Sequence, residues 1–299
     1  MNLSDSPSAH IKAILMGLSG TGKSGSTVCL AVPGIVPKFP GYKLKVVDFD
    51  SKYPEIALSI LNSWLTKKII SQDQYQQALA NIDVEECSEP MAVVKMPGAR
   101  NTGAVSLAGN DKKVIGVDRA TKAYSTAVAA LAKWSYDRDT IVILDSLTYA
   151  AQAIINFALE LNGNLNKTLT WQQFPDPQSK LMLLLQYLAD LNCSTLVLAH
   201  QTTHEIYKKT GKKDDEGNDV EELIASNVVP VSIGKAKSVE IPARMNHLLA
   251  YVTEGSGKAV RRVISTKPHS GIITKSPFFL APDTMPIDKG LAQYFSHRV

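Results

Sequence analysis

Gly17-Leu18-Ser19-Gly20-Thr21-Gly22-Lys23-Ser24 follows a short apolar run, Ile11 to Met16, and completes the pattern G-x-x-x-x-G-K-[ST]. The apolar run predicts a buried strand. The glycines predict a turn tight enough for successive backbone N–H groups to curl around an anion. Val28 to Ala31 are expected to continue a helix whose N-terminal dipole faces the same charge. On this reading Gly17, Leu18, Ser19, Gly20, Thr21, Gly22, Lys23, Ser24 and Gly25 hold the phosphates of a nucleoside triphosphate. The Lys23 ammonium reaches the β and γ oxygens, and the Ser24 hydroxyl ligates Mg²⁺. A chance glycine-rich turn is the alternative, and the strand-loop-helix context argues against it.

Hydrolysis needs more than a phosphate cradle. Ile141-Val142-Ile143-Leu144-Asp145-Ser146 is four apolar residues ending in an acid. Such a strand delivers Asp145 to the carboxyl edge of a sheet, where it holds Mg²⁺ through water. Lys45-Val46-Val47-Asp48-Phe49-Asp50 ends in two acids at period-two spacing, so both side chains are expected to leave the same face or edge. Asp50, at the strand's carboxyl end, reads as the base that orients or deprotonates water, with Asp48 supporting it or the metal's outer shell. Asp50 as a cap of the helix beginning near Pro54 is the other reading. Leu196 to Ala199 form a core strand expected to deliver His200 and Gln201 to the same crevice. There His200 meets the nucleotide and the Gln201 amide senses the γ-phosphate.

Composition bounds the class. The chain has 299 residues, is 44% hydrophobic and carries a formal net charge of +4, an ordinary globular balance too weakly basic to argue for nucleic acid by itself. No apolar run reaches the roughly 18 residues of a membrane span, and Met1 to His10 are polar rather than a signal sequence, so a cytoplasmic location is expected. Cys29, Cys87 and Cys193 form no C-x-x-C pair and are expected to be small buried or half-buried side chains.

Strand-like and helix-like segments alternate, which predicts an α/β fold with a mainly parallel central sheet flanked by helices. Expected strands are Lys43 to Asp48, Thr140 to Leu144 and Ser194 to Ala199. Expected helices are Glu55 to Ile69, a capping-box helix from Ser71 through Ala80, Thr121 to Tyr136, Leu147 to Leu161 and Pro177 to Leu191. Residues 1–9 read as a flexible N-terminus, 10–275 as one domain and 276–299 as a C-terminal tail. Within the domain, 97–119 reads as an insertion or mobile loop. His247 to Thr253 and Ala259 to Lys267 flank Gly255-Ser256-Gly257, an antiparallel hairpin.

These motifs in this order resemble the RecA-like ATPases, and Trp171-Gln172-Gln173-Phe174 before a helix is similar to the short phage-encoded branch that includes single-strand-annealing proteins. The resemblance spans roughly residues 10 to 275, with specific motifs at four places. It implies a RecA-like P-loop core, ATP and Mg²⁺ as cofactors, Asp50 as catalytic acid and Gln201 as γ-phosphate sensor. It departs from the bacterial recombinase in having Asp rather than Glu as the acid and His before Gln.

The resemblance also implies self-association into a ring or filament, and single-stranded DNA held by the loop after the sensor strand. Residues 202–227 fit that loop, with Tyr207, Lys208, Lys209, Lys212 and Lys213 as candidate DNA contacts. Its acids, Asp214, Asp215, Glu216, Asp219, Glu221 and Glu222, make a solvated loop an equally good reading. In ring ATPases a neighbouring subunit supplies a cation, and Lys267, then Arg262, are the candidates on the last hairpin. Cations on an exposed strand are the alternative.

The leading reading is an oligomeric, DNA-stimulated ATPase in phage recombination, annealing or replication. A small-molecule P-loop kinase and a nucleotide-gated assembly protein with little hydrolysis are the alternatives. Few arginines and no arginine-rich lid count against the kinase. No [NT]-K-x-D motif reads guanine, since Thr266-Lys267-Pro268-His269 lacks the acid.

Overall fold

Short apolar runs that are buried on both faces build the middle of a parallel sheet, because helices must then cover each side. The computed structural model describes residues 10–87, 122–162, 170–213, 219–255, 260–268, 271–278 and 280–297. Strands Lys12–Gly17 (β1) and Thr140–Asp145 (β4) are buried throughout, and Lys43–Asp48 (β2) is buried at its carboxyl end. Ile82–Glu86 (β3) is the sheet edge, and Ser194–Lys213 (β5) lies between β1 and β4. With Asp219–Pro230 (β6), His247–Glu254 (β7), Arg261–Ser265 (β8) and Thr284–Pro286 (β9), the order is β3-β2-β4-β5-β1-β7-β8-β9. Among the described strands β6 pairs with β5, and its Val228 also bridges to Ile272. The strands from β3 to β7 along this order run parallel, and β8 and β9 turn back antiparallel.

Alternation splits the core in two. On β1, Ala13 and Leu15 face one cluster and Ile14 and Met16 face the other. Helices Tyr53–Thr66 (α2), Gln72–Ala80 (α3) and Gly290–Phe295 (α8) close the first cluster. Lys122–Lys133 (α4), Leu147–Leu161 (α5) and Pro175–Asp190 (α6) close the second, against which Ile241 also packs, from the 3₁₀ turn that follows Lys235–Glu240 (α7). Lys12 is buried at the foot of β1. Its Nζ donates to the carbonyls of Leu188 (3.1 Å) and Leu191 (2.6 Å), which closes the C-terminal end of α6.

Local chemistry sets two of the element ends. Ser71 Oγ accepts from Gln74 N–H while Gln74 Oε1 accepts from Ser71 N–H, the expected capping box of α3. The helix after the phosphate loop, Lys23–Thr27 (α1), is shorter than expected. Val28–Ala31 tighten to 3₁₀, and Val32 is extended ahead of Pro33, whose ring disfavours helical backbone at the residue before it.

Two differences from the sequence reading matter. β3 was not expected. The expected loop 202–227 is instead an antiparallel ribbon, β5 running on without interruption past the sheet and β6 returning. Its register sets Lys208 opposite Glu222, Lys209 opposite Glu221 and Lys213 opposite Asp219, with bulges between Ile206 and Tyr207 and between Lys209 and Lys213. The expected features at 1–9, 97–119, 214–216 and the Ser256-Gly257 hairpin tip lie outside the described residues.

The fold is therefore the mixed α/β class expected, a mainly parallel sheet that carries helices on both faces and C-terminal antiparallel strands. No helix among the described residues is long and apolar enough to cross a membrane. All three cysteines are buried.

Candidate nucleotide site

β1 ends at Gly17, and the loop that follows is shaped by close approaches that only glycine allows. A Cβ on Gly17 would fall 2.7 Å from Tyr251 Cβ, and one on Gly22, whose φ is 91°, would fall 2.7 Å from Ile287 Cδ1. Thr21 Oγ1 donates to Leu18 O (2.8 Å), tightening the turn from within. Lys23 Nζ donates to the carbonyls of Gly17 (2.9 Å) and Leu18 (2.8 Å), so the ammonium is held inside the loop. Burial pulls the Lys23 amine down to about 8, against the opposing pull of Asp145. The hydroxyls of α1 fix its direction. Ser26 Oγ bonds Tyr251 Oη on β7, and Thr27 Oγ1 bonds Tyr53 Oη on α2 at 2.7 Å.

The acids come from neighbouring strands, since Asp48 on β2 is in register with Asp145 on β4. Asp145 is 6% exposed. Burial raises its carboxyl to about 7, while a hydrogen bond from Ser24 holds it down and the nearby Asp48 and Asp50 push it up. Ser24 and Asp145 line the same cavity. Asp48 is wholly buried: Oδ1 accepts from the N–H groups of Asp50 and Ser51, and Oδ2 from that of Tyr53, each at 2.9 Å. Desolvation raises the Asp48 carboxyl in spite of these donors.

Ser19, Gly20, Gly22, Lys23, Ser24 and Gly25 line one cavity of about 420 Å³. From the other strands it receives Asp50, Lys52, Asp145, Ser146 and His200, with Ile56 and Ile60 of α2 forming an apolar wall. Ser146 Oγ is buried with no hydrogen-bond partner among the described residues. A Ser hydroxyl and a carboxylate that face one cavity, with an unpartnered hydroxyl beside them, suit a hydrated Mg²⁺. Among the described residues no group of three or more His, Cys, Asp or Glu side chains could hold a metal alone, so such an ion would need the nucleotide's own oxygens.

The expected residues divide. Lys23, Ser24, Asp50, Asp145 and His200 meet in the cavity. Asp50 does not cap α2, whose N-cap Lys52 makes no side-chain cap bond; it is Asp48 that receives the Tyr53 N–H. His200 packs edge-on against Tyr149 at 5.9 Å, its backbone N–H donates to Thr148 Oγ1, and burial then Lys23 lower its imidazole. Gln201 does not line the cavity, because successive strand residues turn to opposite faces; its Oε1 is buried without a partner among the described residues.

Lys267 follows the end of β8 and pairs with Asp283 at 2.6 Å. As β8 runs antiparallel to β7, its first residues, Arg261 and Arg262, lie at the carboxyl edge and Lys267 lies back toward the amino edge. Tyr207 and Lys213 are exposed on the ribbon, and the Tyr207 hydroxyl donates to Glu205. Sequence reasoning missed Lys52, Ser146, Tyr53 and Tyr251. Of these, only Ser146 had a signal, its place directly after the acid.

No protein-family model and no curated protein matches the chain. Solved structures do align with it. One, of a prototypical ATPase from the type III secretion system of pathogenic bacteria, has 12% identity and a TM-score of 0.41; the alignment covers 81% of this chain and 51% of that one. This chain thus spans about half the length of that protein. A KaiC-like protein from the hyperthermophilic archaeon Pyrococcus horikoshii has 14% identity and a TM-score of 0.36, covering 85% of this chain and 78% of its own. The RadB recombinase has 11% identity and a TM-score of 0.38, covering 85% and 80%. Strand order, register and the tight glycine contacts of the phosphate loop define the fold.

Proposed function

We propose that this chain binds and hydrolyses ATP with Mg²⁺, and that it does so as an oligomer acting on single-stranded DNA in recombination, annealing or replication. The observation that carries the ATPase reading is the convergence of Lys23, Ser24, Asp145 and Asp50, from three separate strand ends, on one cavity. Loop amides and Lys23 hold the phosphates, leaving the carbonyls of Gly17 and Leu18 to release the ammonium toward them. Mg²⁺, when bound, would neutralise charge on the phosphates from Ser24 and Asp145. Asp50, held at the cavity wall by the Asp48 turn, orients the attacking water and accepts its proton. His200, lowered by burial, stays neutral near pH 7 and can donate one hydrogen bond to the nucleotide.

The DNA and oligomer parts rest on the resemblance and on the ribbon, whose lysines could meet phosphates. For the cation supplied by a neighbouring subunit, position supports Arg262 over Lys267. Calorimetry with Mg-ATP should give a heat of binding, and turnover should rise with added single-stranded DNA. Asp50→Asn should cut turnover by about 10²-fold or more while leaving ATP affinity intact. Binding without phosphate release would instead mark an assembly protein, and transfer to a metabolite a kinase.

A further inference from the structure

One cation in the cavity has no part in that scheme. Lys52 Nζ lies 3.1 and 3.2 Å from the two carboxylate oxygens of Asp50, and both side chains line the cavity with Lys23 and Ser24. The backbone that bears Lys52 is fixed: Ser51 before it has a φ of 54° and donates to Asp48, and Tyr53 after it does the same. The side chain is 61% exposed, so its ammonium can move on a four-carbon stem. A rooted lysine with a free head suits a group that changes partner.

The charge balance asks for such a group. Seating a triphosphate between Asp50 and Asp145 sets like charges against one another, and a carboxylate next to a terminal phosphoryl group is repelled unless a cation lies between them. Lys23 is buried on the loop side and does not pair with Asp50. We propose that Lys52 is a phosphate-reading cation acting within its own chain: it neutralises Asp50 in the resting site and bridges Asp50 to a terminal phosphoryl oxygen once a triphosphate is seated. This rests on the nucleotide reading of the cavity. It makes Lys52 selective for the third phosphate, since a diphosphate ends short of it.

Calorimetry with Mg-ADP, and with Mg-ADP plus beryllium fluoride as a γ-phosphoryl stand-in, tests this on wild type, Lys52→Met and Lys52→Arg, alongside steady-state turnover. Exposed ion pairs contribute little stability, so all three proteins should fold. Lys52→Met should bind ADP within about twofold of wild type, bind the fluoride complex roughly tenfold or more weakly, and lose about 10²-fold in kcat. Lys52→Arg should keep most of the fluoride-complex affinity. Equal affinity of wild type and Lys52→Met for the fluoride complex overturns the role of Lys52. No heat from wild type with either ligand overturns the nucleotide reading, and this inference with it.

Discussion

Asp48 acts without lining the cavity, by accepting three backbone N–H groups from the turn that carries Asp50 and Lys52. Removing it leaves buried donors unsatisfied, so Asp48→Ala should lower stability by about 3 kcal/mol in urea unfolding, with Asp48→Asn losing less. His247 is a second buried polar residue, its Nδ1 2.6 Å from Tyr294 Oη, which also meets Ser276 Oγ. Burial, then Lys275, pulls its imidazole from 6.5 to about 4. A depressed folded value means the unfolded chain binds the extra proton first. The stability His247 contributes is therefore fully present above pH 6.5 and lost as pH falls toward 4, an effect of at most about 3 kcal/mol. Unfolding free energy measured across that window should slope downward on acidification, and His247→Phe should flatten the slope.

At the scale of elements, the capping box predicts that Ser71→Ala costs about 1 kcal/mol in thermal or urea unfolding without changing nucleotide binding. The ribbon predicts something different. If its lysines meet DNA phosphates, Lys208→Gln with Lys209→Gln should reduce the slope of log affinity against log salt by about two for single-stranded DNA. Unchanged slopes would move DNA contact elsewhere.

The central strands and the phosphate loop were legible because burial on both faces leaves an unbroken apolar run and the loop needs glycine at fixed spacing. β3 was not, since at a sheet edge Ile82-Asp83-Val84-Glu85-Glu86 can mix charge into a strand without penalty. The ribbon escaped for a related reason: with solvent near both faces, its polar residues carry no period-two signal. Asp50 could be located from its strand end. The Lys52 contact could not, because nothing in the sequence says which way a turn of positive φ aims the next side chain.

At the scale of the molecule, sharing of sites between subunits can be read by mixing defective chains. Lys23→Ala mixed with Arg262→Ala should recover part of the lost turnover, whereas Lys267→Ala alone should change little; no recovery from the first mixture would indicate a self-contained site. The chain also closes on itself. Gly22, near its start, packs against Ile287, and α8 lies over the 3₁₀ turn that follows α1. The cradle read from the first residues is thus completed by residues some 265 positions later. During synthesis the glycine loop emerges early and must wait, without the Ile287 side chain that packs on Gly22, until the stretch through Phe295 has left the ribosome. A nascent polypeptide halted before Thr284 should then fail to retain nucleotide, and maturation of the cradle should be a late, slow event in biogenesis.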